Sequence, residues 1–170
     1  MSKQLGKALI TGASAGIGAT YAERLARRGH NLLLVARDIQ RLEAMVGRLS
    51  QEYGVKVEVL KADLGDKTEL KAVEDRLRSD GELGLLVNNA GIATNGTLAE
   101  ADLDLAEKLI QLNVVALTRL AAVAAAQFSA RGRGAIINLA SVAALAPEMF
   151  HAVYSASTPS VLSLTQPPHA

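Results

Sequence analysis

Short apolar runs alternate with amphipathic stretches along this chain, and the two kinds of segment follow different periods. Lys7 to Thr11 reads as a first strand, Asn31 to Ala36 as a second and Val55 to Leu60 as a third. Leu85 to Asn88 and Ala135 to Leu139 read as the fourth and fifth. Between them, apolar side chains recur three or four residues apart, the spacing of a helix face. Ile17, Tyr21, Ala22 and Leu25 mark a helix that stops at Gly29, and Ile39, Leu42, Val46 and Leu49 mark the next. Leu70, Val73 and Leu77 mark a third, and Leu105, Leu109, Leu112, Ala116 and Leu120 define a long helix from Asp104 to Ala130. Strands that alternate with helices require right-handed crossovers, which build a parallel sheet with helices on both faces. The pattern predicts an α/β, doubly wound parallel sheet.

Composition agrees with that picture. Apolar residues make up 49% of the chain and aromatics only 3%, so the core must be built from small and aliphatic side chains. A formal net charge of +1 gives no electrostatic case for nucleic acid or for an anionic membrane surface. The sequence has no Cys, which excludes disulfides and thiolate metal sites and admits a reducing compartment. The apolar region Val114 to Phe128 is interrupted by Arg119 and falls short of a membrane span. Met1 to Lys7 carries no signal-peptide pattern, so a cytoplasmic location is expected. His30, His151 and His169 are too scattered for a metal site, and Glu100, Asp102, Asp104 and Glu107 read as a solvated helix start.

The chemistry enters at the first strand–helix junction, Thr11-Gly12-Ala13-Ser14-Ala15-Gly16-Ile17-Gly18. Gly12 and Gly16 allow a tight turn and close approach of a diphosphate, and Gly18 lets the helix pack on the strand. Ser14, Ala15 and Ile17 lie between them, where the helix N-terminus offers free N–H groups to phosphates. The second strand ends at Ala36-Arg37-Asp38. An acidic side chain at the strand tip selects NAD, whereas a guanidinium clamps the 2′-phosphate of NADP. Arg37 therefore points to NADP in preference to NAD, and Asp38 reads as the cap of the next helix.

The Gly-x-x-x-Gly-x-Gly spacing after Thr11 resembles the short-chain dehydrogenase/reductase family. Asp63-Leu64, Asn88-Asn89-Ala90-Gly91, Asn113, Ser141 and Tyr154 follow in the family's order. The resemblance implies a Rossmann-type sheet and hydride transfer between NADP(H) and a small-molecule carbonyl or secondary-alcohol substrate. It implies that Tyr154 is the general acid/base, that Ser141 holds the substrate oxygen, and that Asn113 supports a water in the proton relay. By the same resemblance Asp63 and Leu64 meet the adenine, while Asn88 to Gly91 pack against the adenosine ribose. Family members pair through the long helix, which implies a homo-oligomer through residues 104–130.

One part of the family pattern is missing. The family places a Lys four residues after the Tyr, where its charge stabilises the phenolate, and this chain has Thr158 followed by Pro159. Proline disfavours helical geometry at the residue before it and removes an N–H. Pro167-Pro168 cannot continue a helix. Residues 1–157 therefore read as the dinucleotide-binding domain and 158–170 as a disturbed tail, in a sheet truncated after its fifth strand. Ala135 to Leu139 is then expected to form an apolar edge. Impaired activity is expected. The alternatives are a catalytically inactive nucleotide-binding remnant, from a truncated or frameshifted gene, and an interaction subunit of an intact relative.

Overall fold

In the computed structural model, residues 6–94, 97–145 and 152–165 are described. Five strands, β1 (Lys7–Thr11), β2 (Leu32–Ala36), β3 (Val57–Lys61), β4 (Leu83–Asn88) and β5 (Ala135–Asn138), form one parallel sheet in the order β3-β2-β1-β4-β5. Helices α1 (Gly16–Arg27), α2 (Ile39–Tyr53) and α3 (Lys67–Ser79) follow the first three strands. After β4 come α4 (Leu103–Ile110), a π-helical segment (Gln111–Ala116) and α5 (Leu117–Ala130), joined end to end. Helix α6 (Ala152–Thr165) follows β5.

The doubly wound character follows from the pleat of the buried strands. Ala8, Ile10, Leu32 and Leu34 point to one face and pack with Ala22, Leu25, Leu42, Met45 and Leu49 of α1 and α2. Leu9, Leu33, Val35 and Leu86 point to the other, against Leu70, Val73 and Leu77 of α3 and Leu120, Ala124 and Phe128 of α5. Both faces are covered, so β1 and β2 read as unbroken apolar runs. Met45 takes the core position one residue before the expected Val46. Ile17, expected on the core face of α1, is 61% exposed.

The long helix differs from expectation in two ways. It contains a π segment, the kind of local widening often found at functional sites. Its apolar stretch is also longer than the residues between Val114 and Phe128 suggested: Leu103–Ala130 is long and apolar enough to cross a membrane. Length therefore does not argue against a span. Leu109, Ala116, Leu117, Leu120, Ala124 and Phe128 are buried along one side of the long helix. Arg119, rather than merely interrupting the run, donates to Glu74 of α3 at 2.6 Å, and Glu74 is 2% exposed. Burial works against the Glu74 charge, but Arg119 and Arg78 outweigh it and hold its pKa below the ordinary value.

Among the described residues β5 pairs with β4 alone. Its outer flank is only partly open, because Ile136, Ile137 and Asn138 are half-buried and Asn138 donates to Thr165 of α6 at 3.3 Å. At the opposite end of the strands from the Gly-rich turn, Lys7 reaches Asp80 at 2.8 Å and Glu58 at 2.6 Å, and Arg76 binds both carboxylates. Burial opposes the Lys7 charge, yet the bonds to Asp80 and Glu58 raise its pKa overall. The Lys7 bond lowers the pKa of Glu58 against burial; burial likewise opposes the lowering of Asp80, which Lys7, the Glu82 backbone and Arg76 together achieve.

Depressed carboxylates stabilise the fold above their ordinary range and lose that contribution as pH falls through their folded values. Lys7 acts in the opposite sense: its contribution is complete below its ordinary value of 10.5 and is lost as pH rises through the raised one. The urea midpoint is thus expected to be flat from about pH 5 to about pH 10 and to fall on either side. Lys7→Met should lower the plateau by about 3 kcal/mol, since Asp80 is left buried with one cation fewer. An unchanged midpoint in that variant would show the network to be energetically idle.

Candidate active site

The carboxyl ends of β1 and β4 lie side by side where the strand order reverses, the place at which doubly wound sheets open a crevice. Thr11 ties the two loops together: its hydroxyl accepts from the Asn89 and Ala90 N–H groups, both at 3.0 Å. Asn89 donates to the Thr11 carbonyl at 2.9 Å and to that of Gly12 at 3.2 Å. Gly12 has φ +64°, and a Cβ there would lie 2.9 Å from Ala90 Cα. A Cβ on Gly18 would lie 2.3 Å from the Gly12 carbonyl oxygen, so helix and turn are in backbone contact. Gly16 differs: its φ is +55°, and a Cβ there would meet nothing within 4 Å, so the space above it is open.

Ala15 is the N-cap of α1 and supplies no side-chain bond, and no acidic residue occupies the first turn. The N–H groups and partial positive charge of that helix end face the turn uncompensated. A cavity of about 520 Å³ lies beside it, lined by Gly12, Ser14, Ala36, Arg37, Asp63 and Leu64 among others. Arg37 faces Asp63 across the tips of β2 and β3 at 3.9 Å, a loose pair in which Arg37 is 73% exposed. Asp38 caps α2 as expected, accepting from the Arg41 N–H at 3.0 Å. Its other oxygen holds the Arg41 guanidinium at 3.2 Å, and Arg41 lines the same cavity. Sequence reading missed Arg41; its signal was a second Arg one helical turn after Arg37.

A second cavity, of about 240 Å³, shares Ala90, Gly91 and Ile92 with the first and contains Ile17, Asn113, Ser141, Tyr154 and Thr158 in its wall. The three residues assigned to catalysis are therefore brought together from the π segment, the loop after β5 and α6. Ser141 caps a single 3₁₀ turn, accepting from Ala143 N–H at 3.2 Å. Tyr154, Ser157, Thr158 and Val161 share one face of α6. No charged side chain lines this cavity among the described residues.

Two predicted residues also use their side chains within the protein. Asn113 spends both ends of its amide on Ile92, accepting from its N–H at 3.0 Å and donating to its carbonyl at 2.8 Å. Its side chain clamps the loop at Gly91 and Ile92, where a Cβ on Gly91 would lie 3.1 Å from the Asn113 oxygen. The Asn88 side chain points into the sheet, donating to Asn138 at 2.9 Å and to the Leu117 carbonyl at 3.4 Å, so it ties β4 to β5 and α5. The acidic group before the long helix serves as caps: Asp102 accepts from Leu105 N–H at 3.0 Å, and Glu100 accepts from the Thr97 hydroxyl at 2.8 Å. His30 lies in its turn with Nδ1 at 2.7 Å from the Gly6 carbonyl. His151, His169 and Pro167-Pro168 lie outside the described residues.

Fold, glycine turn and adjoining cavities define a doubly wound α/β protein with a crevice where the strand order reverses. The sequence matches the short chain dehydrogenase family over residues 6–168, and the chain belongs to that family. It is 54% identical to a short-chain dehydrogenase from Sphingobium yanoikuyae solved in complex with NADPH, with a TM-score of 0.93 over 95% of this chain and 63% of that one. It is 48% identical to a bulky-bulky ketone specific alcohol dehydrogenase from Comamonas testosteroni, TM-score 0.93, covering 95% of this chain and 65% of the other. A very-long-chain 3-oxoacyl-CoA reductase from Anas platyrhynchos is 34% identical over 157 residues, 88% of this chain and 49% of that protein. The chain spans about half the length of the curated relatives it matches.

Proposed function

We propose that this chain is the dinucleotide-binding part of an oxidoreductase that moves a hydride between NADP(H) and a carbonyl or secondary alcohol. The observation that carries the reading is a pair of adjoining cavities, one lined by Arg37 and the other by Tyr154, that share Ala90, Gly91 and Ile92. An elongated ligand with a phosphate at its middle suits such a pair, because the turn at the α1 N-terminus gives Gly12 and Ser14 to one wall and Ile17 to the other. The NADPH of the Sphingobium structure and the ketone substrates of the Comamonas enzyme support the cofactor and substrate class.

Arg37, Asp63 and Leu64 would hold the adenosine end, and the backbone of residues 12–18 the diphosphate. The bound nicotinamide supplies or takes the hydride. Tyr154 exchanges a proton with the substrate oxygen at its phenol Oη, while the Ser141 hydroxyl steadies that oxygen. Asn113 keeps the Gly91–Ile92 backbone in place between the two cavities. With Ala36 at the strand tip, Arg37 meets the 2′-phosphate, and Arg41, held by Asp38, adds a second cation.

Fluorescence titration tests this directly. Arg37→Ala is expected to weaken NADPH binding about tenfold, the low end for a charge-assisted bond at an exposed site, and to leave NADH within about twofold. Arg41→Ala should weaken NADPH about threefold. Equal loss of both dinucleotides would remove the 2′-phosphate assignment, and no binding by the unaltered chain would remove the reading itself.

A second reading, a nucleotide-binding remnant without turnover, draws support from the uncharged wall around Tyr154 and from Thr158 in place of a cation. Carbonyl-dependent oxidation of NADPH separates it from the first. Pairing through residues 104–130, with itself or with an intact relative, draws support from the exposure of Leu105 and Ile110, and a mass measurement in solution decides it.

A further inference from the structure

Pro159 lies inside α6, which nevertheless runs from Ala152 to Thr165. A proline at this place has no N–H for the carbonyl of Ser155, four residues earlier. The Thr158 hydroxyl donates to that same carbonyl at 3.1 Å. Thr158 is only 5% exposed, so solvent is a poor substitute for its hydroxyl. Ser157 and Ser160 make similar bonds to the carbonyls of Tyr154 and Ser157, at 2.7 and 2.5 Å. Thr158 alone of the three serves the carbonyl that Pro159 cannot reach. It also shares with Tyr154 the helix face that walls the smaller cavity.

We propose that Thr158 is a positioning residue for Tyr154, its hydroxyl taking the place of the N–H that Pro159 lacks. The bond keeps the turn from Tyr154 to Pro159 helical and holds the phenol in the cavity beside Ser141. The functional meaning rests on the reading of Tyr154 as the proton-transferring group; the coupling of residues 158 and 159 does not. Loss of the hydroxyl at 158 loosens this turn, and an N–H regained at 159 repairs it.

The chain has three tyrosines, so ¹³C at the phenol carbon gives three resonances, and Tyr154→Phe assigns the one of interest. In Thr158→Val, that resonance is expected to move toward free tyrosine. The amides of Val161 and Leu162 should exchange roughly two- to tenfold faster, the loss of one hydrogen bond. Thr158→Ser, and Thr158→Val combined with Pro159→Ala, should return both readouts to those of the unaltered chain. A Thr158→Val chain that matches the unaltered one overturns the proposal, and so does a double variant as disturbed as the single. If Thr158→Val does not fold, recovery of folding in the double variant supports the coupling and failure there overturns it. NADPH titration of the same samples reports separately on nucleotide binding: its absence in the unaltered chain removes that reading, while the tyrosine resonance still decides this one.

Discussion

Thr158→Lys combined with Pro159→Ala is expected to raise NADPH-dependent reduction of a bulky ketone by about 100-fold. A phenol ionises near pH 10 in water, and a phenolate base at neutral pH requires a cation beside it. Residues four apart lie on one helix face, so a Lys at 158 stands one turn from Tyr154. A stabilisation equivalent to two pKa units, at about 1.4 kcal/mol each, corresponds to that 100-fold. The second substitution is necessary because Lys brings no hydroxyl for the Ser155 carbonyl. Thr158→Lys alone should therefore gain much less. Stopped-flow or steady-state absorbance of NADPH reads the rates, and adding Tyr154→Phe to the double variant should abolish the gain. Equal rates with and without the phenol would take proton transfer away from Tyr154.

The two glycines of the turn should fail in different ways. Gly18→Ala places a Cβ 2.3 Å from the Gly12 carbonyl oxygen and 2.5 Å from the Asn89 amide. Backbone must move to admit it, which costs about 2–3 kcal/mol of stability. On the proposed reading, displacement of the turn should weaken NADPH at least about tenfold as well, since the N–H groups offered to the diphosphate move with it. Gly16→Ala meets no neighbour, and its cost to folding is only the left-handed backbone, about 1–2 kcal/mol. Its methyl group enters open space that the proposed diphosphate site would use, so its binding loss should exceed its stability loss. Urea midpoints and fluorescence titrations on the two variants separate these effects. A Gly18→Ala chain as stable as the original would show that the helix–turn contact yields easily.

Much of the fold was legible because its signals are local. The apolar runs at Lys7–Thr11 and Leu32–Ala36 can be satisfied only by burial on both faces, and helices of period 3.6 on either side supply that burial. The cap at Asp38 was legible too, for a cap is read from side chain and position together, whereas Asp102 read only as part of a solvated helix start. Ile17 was misplaced because periodicity tells which side of a helix is apolar, not whether an apolar residue lines a core or an open cavity. The π segment at Gln111–Ala116 leaves no mark in the apolar spacing, and with it the commitment of Asn113 to Ile92 stayed hidden.

The sequence by itself determined the alternation of strand and helix, the glycine spacing at the first junction, and the order of side chains that places the chain in its family. It also determined that Thr158 carries no charge. Only the tertiary structure decided which of these side chains meet. Lys7 and Asp80 are paired across 73 residues, Arg119 and Glu74 across 45, and Arg41 comes to the cavity because Asp38 holds it there. Even within one helix, Thr158 was legible as a missing cation but not as the donor to Ser155. The reason is physical: backbone preference and burial act residue by residue, whereas partners and cavities exist only once separate elements have been brought into contact.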